Sequence, residues 1–138
     1  MIMESAPVSA ARHQMLLLED DPGVRRSMQL VFQGQGYDVR AFASGEALLG
    51  DARAVQAACL IADYALAGKD GISVLSSLRS AGWQGPALLV SAFATPDLER
   101  RARQAGFAEI FEKPVKLHLL MDALERARAG QQAPDTLC

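Results

Sequence analysis

Short apolar blocks alternate along the chain with stretches of helical periodicity. "MLLLEDD", from Met15 to Asp21, is an apolar run that stops in acids. A run of that length without alternation predicts a strand buried on both faces. Asp21 then fits a helix N-cap and Pro22 the first helical position. Val24, Met28, Val31 and Phe32 recur at helical spacing and predict one apolar stripe, which "GQGY" ends. "YDVRAF" alternates and predicts a second strand, and "SGEALLGDA" a short helix capped by Ser44. "ACLIAD" is continuously apolar before its acid, which predicts a third, central strand. "DGISVLSSLRSAG" predicts a helix that turns Ile72, Val74, Leu75 and Leu78 inward. "PALLVSA" predicts a fourth strand, with Pro86 at its start, where a missing N–H is tolerated. "TPDLERRARQAG" predicts a helix capped by Thr95, with a thin stripe of Leu98, Ala102 and Ala105. "AEIFE" predicts a fifth strand. "KPVKLHLLMDALERARAG" predicts the last helix, entered through Pro114 and burying Leu117, Leu120, Met121 and Leu124.

Strand and helix thus alternate five times, which predicts an α/β protein with a parallel sheet covered on both faces. The fold expected is a flavodoxin-like (βα)5 three-layer sandwich with strand order 2-1-3-4-5. In that order ligands bind at the carboxyl ends of the strands, where the first and third lie side by side. The folded domain is expected over residues 14–130. Residues 1–13 read as an N-terminal extension and 131–138, "QQAPDTLC", as a tail or linker.

Composition narrows the function more than the fold. The chain of 138 residues is the size of one domain, and half of it is hydrophobic. A net charge of -2 argues against a nucleic-acid surface. Cys59 and Cys138 are too few for a disulfide framework and read as two reduced thiols. "MIMESAPVSAARHQ" has no basic start followed by an apolar block, and no apolar run approaches the roughly 20 residues of a membrane span. A cytoplasmic protein is the expectation.

The polar residues that follow the strands are unusual as a set. After the first come Glu19, Asp20 and Asp21; after the third, Asp63. The fourth ends in Ser91, and the fifth in Glu112 and Lys113, followed by Pro114. Carboxylates gathered at one sheet edge repel and raise one another's pKa. A hard divalent cation relieves that, because Mg²⁺ takes oxygen ligands and is held by one or two carboxylates together with phosphate oxygens. A lysine adds positive charge and a hydroxyl can donate to an oxyanion. The set suits phosphoryl transfer, in which a carboxylate can itself be the nucleophile. Asp21 is accounted for by the helix start, and neither His13 nor His118 has a metal-partner spacing.

"LLLEDDP", "LIADYALAGKDG", "LLVSA" and "IFEKP" stand in this order at strand ends, and together they resemble the receiver domain of two-component response regulators. The resemblance covers roughly Met15 to Gly130. It implies that Asp63 is the phosphoacceptor and that Asp20 ligates Mg²⁺ (or Mn²⁺) directly, with Glu19 acting through water. It further implies that the backbone carbonyl of Ala65 is a ligand, that Ser91 hydrogen-bonds the phosphoryl group and that Lys113 pairs with its oxygens. Ala67 stands where the family usually has proline. Ile110, at the switch position three before the lysine, stands where the family usually has Tyr or Phe. The implied protein is a signalling domain, not an enzyme beyond self-catalysed phosphorylation and dephosphorylation. Its partner is a sensor histidine kinase or phosphotransfer protein, and the fourth helix, fifth strand and fifth helix offer a homodimer surface. Neither nucleic acid nor membrane is expected as a direct partner.

Two other readings remain open at this level. One is a receiver that binds its partner constitutively, without phosphate. The other is a Mg²⁺-dependent phosphatase with an aspartyl nucleophile, although "EDDPG" lacks the DxDx[TV] pattern of haloacid-dehalogenase-like enzymes.

Overall fold

The computed structural model describes residues 13–66 and 68–132. Expectations placed on residues 1–12, on Ala67 and on 133–138, Cys138 included, lie outside the described residues.

The chain runs β1 (Gln14–Leu18), α1 (Pro22–Gly34), β2 (Asp38–Phe42), α2 (Gly45–Leu49), a 3₁₀ turn (Ala52–Gln56), β3 (Cys59–Asp63), α3 (Gly71–Ser80), β4 (Ala87–Ser91), α4 (Pro96–Ala105), β5 (Glu109–Glu112) and α5 (Leu117–Gln132). All strand pairs are parallel and the order is β2-β1-β3-β4-β5. This is the flavodoxin-like sandwich the alternation predicts.

Side chains alternate across each strand, so the sheet feeds two cores. Leu16, Leu18, Leu60, Ala62 and Leu89 pack with Val74, Leu75 and Leu78 of α3 and with Leu98 of α4. Met15, Leu17, Ile61, Leu88 and Val90 pack with Met28 and Phe32 of α1 and with Leu120 and Leu124 of α5. Both faces are covered, which is why these strands read as unbroken apolar runs.

Caps fix where the helices start. Asp21, Ser44, Asp70 and Thr95 each accept a backbone N–H of the first turn. The first turn of α3 lies hard against the end of β3. A Cβ at Gly71 would stand 2.5 Å from the carbonyl oxygen of Asp63, so only glycine fits.

Three details differ from the sequence expectation. In α1 Met28 and Phe32 are buried, but Val24 and Val31 are 42% and 39% exposed. They lie on the rim of the stripe instead of its centre. The last helix begins at Leu117, after a cis Lys113–Pro114 bond, and its buried residues are Leu120, Ala123 and Leu124, with Leu117 and Met121 half-buried. The 3₁₀ turn carries Ala57 to the buried Trp83, whose Nε1 donates to the Ala57 carbonyl at 2.8 Å.

Candidate functional site

The carboxyl ends of β1, β3, β4 and β5 bring the expected residues to one place. Asp63 is the last residue of β3 and only 3% exposed. Both of its carboxylate oxygens are engaged. Oδ1 accepts the Ala65 N–H at 3.2 Å, and Oδ2 accepts from Lys113 Nζ at 2.6 Å. A buried carboxylate needs such partners, since desolvation of an unpaired charge is costly.

Glu19 follows β1 and is also 3% exposed. Its Oε2 accepts the Asp21 N–H at 3.1 Å, and Oε1 lies 3.7 Å from Lys113 Nζ. Burial pushes its carboxyl above the ordinary value. The Asp21 N–H works against that, the charge of Asp63 adds to it, and Lys113 opposes it. Asp20 is exposed beside them, and one oxygen from each of Glu19, Asp20 and Asp63 falls within 4.8 Å of the others. Asp21 is the α1 N-cap, bonded to the Val24 N–H at 3.0 Å, as the helix-start reading expects.

Lys113 reaches this cluster because its main chain is fixed. Its N–H donates to the Ser91 carbonyl at 2.8 Å, one step past the β4–β5 ladder. Burial opposes the lysine charge most strongly. The hydrogen bond and charge of Asp63, with Glu19 and Asp20 behind it, outweigh that, and its pKa lies above the ordinary value. One ammonium therefore faces three carboxylates.

Ser91 ends β4, buried, but its hydroxyl is turned to its own loop. It donates to the Phe93 carbonyl at 2.9 Å and accepts the Phe93 N–H at 3.2 Å. Ile110 is half-buried against the α3–α4 core, and the neighbouring Phe111 points to the opposite core. Ala65 lies exposed at the loop start. His13 and His118 are exposed. A cavity of about 810 Å³ opens beside the acids, lined by Glu19, Val24, Met28, Lys113, Pro114 and Leu117.

A family model described as the response regulator receiver domain matches residues 15–125. The chain belongs to the response regulator receiver family. This receiver domain is 27% identical over 127 residues to nodulation protein W of Bradyrhizobium diazoefficiens, covering 89% of the chain and 56% of that protein. It is 27% identical over 111 residues to the response regulator TodT of Pseudomonas putida, covering 80% and 49%. The chain thus spans about half the length of the curated relatives it matches. Among solved structures, chemotaxis protein CheY4 of Vibrio cholerae superposes with a TM-score of 0.77 at 22% identity, covering 85% of this chain and 99% of that one. A CheY-like receiver domain from Methanospirillum hungatei gives 0.78 at 17%, covering 88% and 98%. These two support the fold. Receiver domains bind Mg²⁺ through acidic residues, and Glu19, Asp20 and Asp63 form such a cluster here.

Two features of the receiver's site went unread in the sequence. Tyr64, directly after Asp63, meets Arg101 of α4, with the guanidinium 3.3 Å from the phenol oxygen and 5.7 Å from the ring centroid. The Ser91–Phe93 pair is the other. Tyr64 stands in "DYALAG" next to the acid, but nothing in the sequence marks a residue 37 positions away as its partner.

Proposed function

We propose that Asp63 is the phosphoacceptor of a two-component switch. The observation that carries this is the buried Asp63 carboxylate, ion-paired to Lys113 at 2.6 Å, with Glu19 and Asp20 beside it. A carboxylate oxygen of Asp63 attacks the phosphorus of the donor. A new O–P bond forms as the donor's P–N or P–O bond breaks, and the imidazole or acetate leaves with that bond's electron pair. Water later cleaves the acyl phosphate to carboxylate and inorganic phosphate, so the domain titrates a signal and is at most self-catalysed.

The donor set fits Mg²⁺ (or Mn²⁺): hard oxygen ligands in excess of one lysine, with Glu19 held above its ordinary pKa by burial and by Asp63. Asp20 and Asp63 would ligate the ion directly, Glu19 through water, and the Ala65 carbonyl would complete the protein ligands. Bound there, the ion supplies charge neutralisation for the phosphoryl oxygens. Lys113 transfers its ion pair from Asp63 to a phosphoryl oxygen. Ser91 turns its hydroxyl from Phe93 to another. Phosphate on Asp63 adds charge at one sheet edge and biases the loops after β3 and β4.

A sensor histidine kinase or phosphotransfer protein would be the donor in the cytoplasm. The α4–β5–α5 face, where Arg126 pairs with Glu109 at 3.3 Å, is the surface assigned to an output partner or a second copy. The test is intact mass after incubation with acetyl phosphate and Mg²⁺. One phosphoryl adduct on the wild type and none on Asp63→Asn is the expected result. No adduct on the wild type, or equal adducts on both, would sink the proposal.

Ile110 favours a second reading, because its side chain offers neither ring nor hydroxyl to a moving switch. In that reading the domain binds its partner without phosphate. Equal partner binding by Asp63→Ala and wild type would favour it.

A further inference from the structure

Phe93 is the most exposed large apolar side chain among the described residues, at 72%. A ring so placed gains by leaving water if an apolar site within reach can take it. The main chain that carries it is fixed locally: the Ser91 hydroxyl bonds both the N–H and the carbonyl of Phe93. Beside the ring lies a cavity of about 330 Å³ between the acceptor loop and the first turns of α4. Phe93 itself lines it, together with Tyr64, Ala92 and Leu98 and the polar Thr95, Asp97 and Arg101. Thr95 caps α4 through the Leu98 N–H at 3.1 Å, and Arg101 is tied to Tyr64, so the walls belong to two elements at once. A ring entering between Tyr64 and Arg101 would press on α4, and the guanidinium offers it a cation–π contact.

The Ser91 hydroxyl cannot keep both Phe93 bonds and also donate to a phosphoryl oxygen on Asp63. It has one proton, and that proton now goes to the Phe93 carbonyl. Ile110, on the same sheet face, has no ring to move. We infer that Phe93 is the moving aromatic of this domain: Ser91 holds it outward while Asp63 is free, and releases it into the Tyr64–Arg101 cavity when the hydroxyl turns to the phosphoryl group. This rests on the phosphoacceptor reading of Asp63.

The test uses Phe93→Trp. Trp83, 4% exposed and bonded to Ala57 at the amino-terminal edge of the sheet, serves as a constant shielded emitter. The protein is treated with acetyl phosphate and Mg²⁺, which gives the acyl phosphate on Asp63 and free acetate, and intact mass is read in parallel with acrylamide quenching. The expected result is a blue shift and a loss of quenching on phosphorylation. Ser91→Ala in the same background should be shielded before any phosphate is added. Because an indole is bulkier than a phenyl ring, hydrogen exchange of the Phe93 amide is also measured in the wild type. It should quicken on phosphorylation as the bond to Ser91 is lost. A full adduct with unchanged quenching and unchanged Phe93 exchange overturns the inference and leaves the phosphoacceptor reading standing. No adduct overturns both.

Discussion

At the scale of single residues, the site is a balance of buried charges. Asp63 and Glu19 are almost wholly enclosed, and Lys113 is the cation paired with both. Lys113→Met removes that cation and leaves two like charges facing each other. The expected loss of stability without metal is about 1–3 kcal/mol, less than for a fully buried pair because the lysine is one-third exposed. Urea unfolding checks it, and added Mg²⁺ should return part of the loss, since it restores positive charge to the acids. An unchanged midpoint would mean that the pair contributes nothing. Asp63, Glu19, Asp20 and Lys113 were legible in the sequence because strand ends announce themselves: an apolar run stops and a charge follows. The Tyr64–Arg101 contact was not. It depends on the angle at which α4 lies over the loop, which no local pattern encodes.

Elements decide how firmly those residues are aimed. Strands and the caps Asp21, Ser44 and Thr95 were readable, though not the Asp70 cap of α3, because buried parallel strands are unbroken apolar runs and N-caps have few suitable side chains. The start of α5 was not readable, because Lys113–Pro114 leads into two further non-helical residues, Val115 and Lys116, before Leu117. The rim positions of Val24 and Val31 were missed for a related reason: helical spacing identifies a face but not how far neighbouring elements cover it. The tightest fit lies between α3 and β3 at Gly71. Gly71→Ala puts a methyl 2.5 Å from the Asp63 carbonyl oxygen, and backbone must move. The expected cost is about 1–3 kcal/mol in chemical denaturation. The rate of phosphoryl uptake from acetyl phosphate should fall with it, because the shifted backbone carries the proposed acceptor, Asp63. Wild-type stability in this variant would show that α3 does not brace the strand end.

On the scale of the whole molecule, the double-sided core makes folding and the ionisation of buried groups one event. Cys59 is fully enclosed in β3, and burial pushes its thiol from 9.0 up to about 12. Above the ordinary value the unfolded chain releases that proton while the folded chain keeps it. Stability therefore falls as pH rises across this window, by about 1.4 kcal/mol per pH unit from this one group. Below pH 9.0 the group contributes no slope. Denaturation midpoints measured across the window should fall less steeply for Cys59→Ala than for the wild type. Equal slopes would mean that the thiol is not shielded by the fold.

Asp63 is the proposed phosphoacceptor, and the most direct measurement finds the phosphoryl group on that residue. Protein treated with acetyl phosphate and Mg²⁺ is reduced with borohydride, which converts an aspartyl phosphate to homoserine, and the peptides are read by mass spectrometry. Homoserine at position 63, absent from an untreated sample, is the predicted result. Homoserine at Asp20 or another acid, or none in a sample whose intact mass carries the adduct, would contradict it.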